Sequence, residues 1–410
     1  MKNRNIKLFL TADLCSQFGA GMIIAALGWC ALDKSGSNQL VAAITSINII
    51  AGIFTSFFAG LIIDIFPKKN ITIFSHLLRS LFVVVPLTLL FINGYNSSLL
   101  LLIALSNGLG WNLYYPASKG LLQEISSDEE LVKTNSGAEI TMQIGLFSSG
   151  ALAGSLYKLW GFNVILLIAL ILFVISLILT TFIKVNNLKT NLKQKNGMLN
   201  VYIEGLRYFQ KHPTIFWLGL VLYIPFIGAG LINTILPGYS VTNLNADSIV
   251  YGLIDMAYGI GACVVGFTII GLTKKLSTNK IIVIGFLLGA VTGLILYANT
   301  SKLIAGLMFF ICGLCGPGIR SLIFSLIMKH VPNEVLGRAM TTWNLISLVI
   351  QVTVTFLLGK IMDFISPAWG FLIYSLIILS GLALFLSIMN KVGEYKKIFS
   401  DQPTQLTSNK

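Results

Sequence analysis

Long apolar stretches, broken at intervals by a few polar residues, set the pattern of this chain. Leu40 to Ile63 is apolar almost throughout; Asp64, Pro67, Lys68 and Lys69 then interrupt it, and apolar sequence resumes at Ile71. A run of that length matches the ~20 residues with which a helix crosses the ~30 Å hydrocarbon core of a bilayer. The polar break is too short to fold by itself, so it reads as a hairpin held in water between two spans. Twelve such spans are expected, at Leu8–Leu32, Leu40–Ile63, Ile71–Ile92, Leu99–Pro116, Leu131–Tyr157, Val164–Ile183, Ile215–Leu236, Val250–Leu272, Ile281–Tyr297, Leu303–Met328, Val335–Ile361 and Ala368–Met389. Inside hydrocarbon every backbone amide needs an internal partner, and these runs are too long and uninterrupted for barrel strands. The fold class is therefore an all-α membrane protein.

One connection differs from the rest. Lys184 to Pro213 is long and polar, rich in Lys and Asn at first, and its second part places Val201, Leu206 and Phe209 near one face of a short amphipathic helix with Lys211 toward the headgroups. It divides the chain into a first six-helix bundle (1–184), a cytoplasmic linker (185–213), a second bundle (214–391) and a polar tail (392–410), which is expected to lack structure. The halves repeat weakly. Gly60 to Lys69 has a counterpart in Gly271 to Lys280, and Gln123 to Glu130 one in Met328 to Val335, each roughly half a chain further on. Two landmarks repeated in the same orientation imply two pseudo-symmetric, parallel six-helix bundles with any ligand site at their interface.

Composition supports this reading, with 55% hydrophobic and 10% charged residues. The net charge of +13 does not form a basic soluble face of the kind that binds nucleic acid, because the bases sit in short clusters between apolar runs. They report topology instead. Of the 28 Lys and Arg, four (Lys34, Lys158, Lys302, Lys360) fall on the side opposite the N-terminus, two (Arg79, Arg320) lie within spans, and the rest share the side of the N-terminus. The positive-inside bias then puts both termini in the cytoplasm. All five cysteines lie in apolar runs, so no disulfide framework is expected, and Cys312 and Cys315 read as packing. The three histidines are scattered, and neither a metal site nor a cofactor is expected. The run from Leu8 to Leu32 is long enough to span and is read as the first helix, not as a cleaved leader.

Charges inside the bilayer are costly, about 2.5–3.5 kcal/mol each at its centre, and mark function or a wet cavity. Asp13, Arg79, Glu139 and Arg320 are such charges, all in the cytoplasmic third; Asp255 and Asp247 lie near the outer end of the eighth helix and read as a solvated rim. Trp29, Asn107, Trp111, Asn112, Tyr114 and Tyr115 in the first half, with Tyr223, Tyr258 and Asn344 in the second, offer flat apolar surface with a few hydrogen-bonding groups. Several of these also suit interfacial belts or helix packing.

The stretch Gly60-Leu-Ile-Ile-Asp-Ile-Phe-Pro-Lys-Lys69 resembles the loop between helices two and three of major facilitator superfamily transporters, with Ile65 in place of a base and Pro67 in place of a glycine. Pro116-Ala-Ser-Lys-Gly-Leu-Leu-Gln-Glu-Ile125 followed by Glu130-Leu and Asn135-Ser, Glu204 to Pro213, Val331 to Arg338, and Trp29 followed by Ser35-Gly-Ser37 are similar to the macrolide-efflux and siderophore-exporter branch. The resemblance implies a monomeric secondary transporter of a bacterial inner membrane, exporting an amphipathic small molecule by proton antiport, and not an enzyme. On that pattern helices one, four, seven and ten line the cavity, which aims Asp13 and Arg320 at the pathway. The expectation is that Asp13, with Glu139, carries the coupling proton while Arg320 supplies its partner or meets an anionic substrate; a static ion network of Asp13, Arg79 and Glu139 is the alternative. Gly60, Asp64, Lys68 and Lys69 are expected to form a cytoplasmic latch, with Asp64 at the N-terminus of helix eleven near Val335, or else to serve topology alone. The antiporter pattern of helix five ends in Gly-Pro, whereas Gly145 to Gly150 has no proline, and helix four lacks the Arg common in drug-proton antiporters. The rival expectations are movement of lysophospholipid or another lipid between leaflets, and a non-transporting membrane receptor or assembly partner. No G-x-x-x-x-G-K-[ST] is present, which leaves the proton gradient as the expected driving force.

Overall fold

The computed structural model describes residues 2–127, 130–185, 207, 209–331 and 333–400. Among them, regular structure is helical throughout, in twelve long helices: α1 (Lys2–Ser35), α2 (Asn38–Ile65), α3 (Lys68–Asn93), α4 (Ser97–Ile125), α5 (Leu131–Trp160), α6 (Phe162–Thr181), α7 (Pro213–Thr242), α8 (Ser248–Lys275), α9 (Thr278–Ala298), α10 (Lys302–His330), α11 (Asn333–Phe364) and α12 (Ala368–Ser400). Ten are long and apolar enough to cross a membrane. α4 and α5 are not among the ten, and both carry polar residues along their length, Asn107, Asn112, Lys119 and Glu124 in the first and Lys158 in the second.

The helices overrun the spans read from hydropathy because the apolar pattern marks hydrocarbon thickness, while a helix continues into the headgroup layer. α1 starts at Lys2, and α12 runs to Ser400, into the stretch that sequence left without structure. Outside the connection from 182 to 212, turns between the helices are short. Gly36 (φ 67°) and Gly161 (φ 79°) take the left-handed conformation at the α1–α2 and α5–α6 corners, where a Cβ would be strained. Asn96 caps α4 by accepting from the Ser98 amide at 2.8 Å.

Packing follows one scheme twice. α1 packs on α5, and α2 on α4, in the first half; α7 packs on α11, and α8 on α10, in the second. Adding six to each helix number converts one set into the other. The same operation relates the two main contacts between halves, α5 with α8 and α2 with α11. Large apolar side chains such as Phe91, Phe267, Leu303 and Phe364 remain exposed on the outside, where in a soluble protein they would be an aggregation hazard and in a bilayer they meet lipid.

Of the expected linker helix, residues 207 and 209–211 are described and helical, whereas Val201 and Leu206 lie outside the described residues. Phe209, expected on the apolar face of a short surface helix, is 5% exposed and packs into the bundle. Its ring lies 5.3 Å from Phe216 and 4.8 Å from Trp343, whose indole N–H donates to the Phe216 carbonyl at 3.0 Å. Gly219 makes room for that indole, since a Cβ there would overlap it. This cluster ties the linker to α7 and α11. Trp343→Ala is expected to cost about 3–5 kcal/mol from the cavity and the lost indole bond, read as a lowered thermal unfolding midpoint in detergent; an unchanged midpoint contradicts this assignment of Trp343.

Candidate functional site at the seam between the two halves

The N-terminal ends of even-numbered helices and the C-terminal ends of odd-numbered ones share one face of the bundle, and the two halves are joined there. Asp363, at the end of α11, caps the start of α2 across the seam. Its carboxylate accepts from the amides of Asn38 (2.6 Å) and Gln39 (2.9 Å), the Asn38 side chain (2.9 Å) and the Ser37 hydroxyl (2.9 Å). Free amides and the positive end of the helix dipole favour an anion at that place. The symmetry-related seam carries a second charged contact: Lys158, at the end of α5, donates to Asp247 at 2.6 Å, and Asp247 caps α8 through the Val250 amide at 3.1 Å. The Lys158 ammonium, with the Val250 amide behind it, holds the Asp247 carboxyl below the usual carboxylate range.

Below these latches the backbones touch. Ser248 donates to the Gly154 carbonyl at 2.7 Å, and Tyr251 to the Ala25 carbonyl at 3.0 Å. Gly252 lies against the Gly150 carbonyl and Gly154 against the Ser248 carbonyl, with no space for a Cβ at either. Trp29 closes the seam from α1, its ring 5.1 Å from that of Tyr251. Further along, α5 and α8 part. Two heptads from Gly154, Ile140 is 45% exposed, and two heptads from Gly252, a Cβ at Gly266 would meet nothing. The described residues thus form a cleft that is shut at the latched face and widens toward the other.

The first half contains a buried polar cluster. Asp13 accepts from Tyr114 (2.6 Å), Thr141 (2.6 Å) and Gln17 (3.2 Å), from α4, α5 and its own helix. Arg79, 1% exposed, does not pair with it. It donates to the Ser16 hydroxyl at 3.0 Å and lies 5.3–5.9 Å from the rings of Trp111, Tyr114 and Phe173. Its Nε and Nη2, and both nitrogens of the fully buried His76, have no hydrogen-bond partner among the described residues. The side chain of Glu139 lies outside the described residues, as do those of Gly60 and Asp64. Lys68 and Lys69 bind within the first half, to Glu124 at 2.8 Å and to the Thr181 carbonyl at 2.8 Å, and so tie α3 to the ends of α4 and α6.

In the second half Arg320 is exposed on α10, 6.0 Å from the Phe226 ring and close to Tyr223 and Tyr258. Tyr223 donates to the Met340 carbonyl at 3.3 Å. Asn344 is half-buried one turn further along α11. On α4 Tyr115 is exposed, stacked on Trp111 at 5.8 Å with the Lys119 ammonium 5.6 Å from its ring. Asn107 is buried, and Asn112 donates to the Gly108 carbonyl at 2.9 Å beside Gly52 of α2. The structure therefore brings Asp13, Tyr114 and Arg79 into one cluster and Arg320, Tyr223 and Tyr258 into another, and leaves Trp29 in the seam. Sequence reasoning missed Asp363 and read Asp247 as a mere rim. A signal was available: α2 and α11 each carry an Asp as their next-to-last residue, followed within a few positions by a proline.

The family model described as the Major Facilitator Superfamily matches residues 9–344 and 218–408. An uncharacterized MFS-type transporter, YvqJ of Bacillus subtilis (strain 168), is 23% identical over 202 residues; the match spans 48% of this chain and 47% of that protein, about half the length of each. A crystal structure of the nucleoside transporter NupG superposes with a TM-score of 0.74 at 14% identity, covering 93% of this chain and 99% of that one. A POT family transporter solved with a thioalcohol-conjugated peptide gives 0.73 at 14% identity, covering 94% and 96%. A doubled six-helix scheme, a seam closed by glycines at one face and a cleft at the other are the setting of these matches, and the chain belongs to the Major Facilitator Superfamily of membrane transporters.

Proposed function

We propose that the chain is a twelve-span exporter of the inner membrane, with both termini in the cytoplasm, that moves an amphipathic small molecule outward in exchange for protons. The observation that carries this reading is the placement of every described hydrogen bond between the halves at one face. A device that alternates needs contacts that can be exchanged as a set, and ligands shift such an equilibrium only through states they bind differently. With the base-rich ends inside, the latched face is the outer one and the cleft opens to the cytoplasm. Arg320, Phe226, Tyr223 and Tyr258 on one wall, with Trp111 and Tyr115 on the other, offer a cation and aromatic faces to a solute with an apolar body. Macrolide-like compounds and siderophores are the substrate classes of the branch that the loop sequences resemble.

Asp13 is the first-half candidate for the coupling group. Its three donors come from three helices, so any rearrangement of α4 or α5 against α1 changes how well its charge is compensated. Asp64 at the cytoplasmic end of α2 would, in the opposite state, play toward α11 the part that Asp363 plays toward α2 here.

Inverted vesicles loaded with candidate macrolides or siderophores test the reading: uptake should appear with an imposed proton gradient and vanish when it is collapsed. Gradient-independent movement would overturn antiport. Asp13→Asn should lose gradient-driven transport while folding normally, and unchanged transport excludes an obligatory proton role for Asp13. Asp363→Ala uncaps α2 and should favour the outward-open state by about 1–2 kcal/mol. The native Cys30, buried next to Trp29 in α1, reports this as roughly 5- to 30-fold faster maleimide labelling on that peptide; an unchanged rate would remove Asp363 from the gate. The depressed carboxyl of Asp247 keeps the second latch charged down to acid pH, and its contribution is lost as pH falls through that lowered value.

A further inference from the structure

The first turns of α1 lie against the end of α6, and two ties hold the pair together. The Ser176 hydroxyl of α6 donates to the Ala12 carbonyl at 2.7 Å. The Asn5 side chain donates to the Lys184 carbonyl at 2.7 Å and accepts from the Lys184 amide at 3.2 Å. Beside these ties Arg4, Lys7, Leu8 and Thr11 of α1 and Leu179 of α6 line a groove of about 450 Å³. Arg4, Lys7 and Thr11 are exposed, and the two leucines are half-buried. Charge around the groove has one sign. Lys184 is exposed just beyond α6, and Lys69 of α3 donates to the Thr181 carbonyl at the end of α6. No acid lines the groove, and no ion pair of Arg4 or Lys7 occurs among the described residues. From Leu179 back along α6, Ile178, Ile175 and Ile171 are exposed, an apolar strip that leads from the groove into the bilayer.

We infer that this groove holds one anionic phospholipid, with its phosphodiester at Arg4 and Lys7 and an acyl chain along α6. The depth fits. The apolar run of α1 starts at Leu8, so Arg4 and Lys7 lie within about one turn outside the hydrocarbon, in the layer that lipid phosphates occupy. The chemistry fits as well. A guanidinium offers paired N–H donors to phosphate oxygens, and an ammonium adds a compact charge beside it. A basic groove between helices, free of acids, selects headgroups of net negative charge; a headgroup with its own ammonium brings a cation into the same field and is disfavoured. Free phosphate would meet the same two bases but would leave Leu8 and Leu179 uncovered, whereas a lipid covers them with hydrocarbon. Bound there, the lipid spans α1 and α6 and adds a third tie between them. The assignment does not depend on what the protein transports or on what drives it.

The test is lipid binding to the intact protein purified in a neutral detergent, followed by native mass spectrometry and by the thermal unfolding midpoint. Phosphatidylglycerol should occupy one saturable site on the wild type and raise its midpoint, whereas phosphatidylcholine and inorganic phosphate should do neither. Arg4→Gln combined with Lys7→Gln should weaken phosphatidylglycerol binding by roughly 30-fold, from the usual contribution of two surface bases, and abolish the rise in midpoint. Both side chains are exposed, so this variant should unfold at the wild-type midpoint when no lipid is added. Lys274→Gln combined with Lys275→Gln removes the same charge from the exposed end of α8 and should bind phosphatidylglycerol as the wild type does. Unchanged binding by the Arg4 and Lys7 variant, or an equal loss in both double variants, overturns the inference. Phosphatidylcholine binding as tightly, or inorganic phosphate reproducing the rise alone, overturns the anionic lipid as occupant.

Discussion

A helix whose N-terminal cap comes from the other half of the chain is the constraint on which this arrangement depends. The first amides of α2 have no partner within their own helix, and the carboxylate of Asp363 on α11 supplies one. Such a bond is strong where made and costly where broken, because it leaves both an uncapped helix and an unpaired charge. Its symmetry mate on α8 uses the same chemistry with the cap, Asp247, on the helix itself and the bridging charge, Lys158, on the other half. Exposed ion pairs of that second kind are worth little singly, about 0–1 kcal/mol. The closed face is therefore held chiefly by the Asp363 cap and by glycine contacts that let backbones meet.

These glycines decide the shape of the cleft. Gly150, Gly154 and Gly252 leave no space for side chains at the latched end, while the same helical stripes further along carry Ile140 exposed and Gly266 in open space. Two helices touching at one end and apart at the other form a wedge; on α10 Arg320 is exposed, with Tyr223 and Tyr258 half-buried near it. The polar cluster around Asp13 is a different kind of object. It is sealed within one half, with donors matched to the carboxylate and with a buried guanidinium whose neighbours are aromatic faces instead of acids.

Much of the fold was legible in the sequence, because in hydrocarbon the length of an apolar run and the need to satisfy every amide leave few alternatives. The family assignment of the loop between Gly60 and Lys69 rested on a handful of charges and agrees with the family match. What escaped was contact between distant elements. The inward turn of Phe209 onto Trp343 depends on Gly219 opening a hole on another helix, and no local pattern announces that. A static network of Asp13, Arg79 and Glu139 was the alternative because all three are charges in an apolar setting, yet Asp13 takes its donors from Tyr114 and Thr141, and Arg79 reaches only the Ser16 hydroxyl among the described residues, with Nε and Nη2 unpartnered. Asp363 was hidden by its ordinary position at a helix end, where a carboxylate is expected to be solvated. Its role appears only once α2 is known to start beside it.

The most direct measurement of alternation is a reversible lock across the latched seam. Cysteines at Gln39 and Lys360, in a chain with its native cysteines replaced, can be joined by a cleavable bifunctional thiol reagent and the protein assayed in proteoliposomes. If the halves separate at this face in each cycle, joining them should abolish gradient-driven transport and cleaving the link should restore it. A cross-linked protein that transports at the unlinked rate would contradict the account.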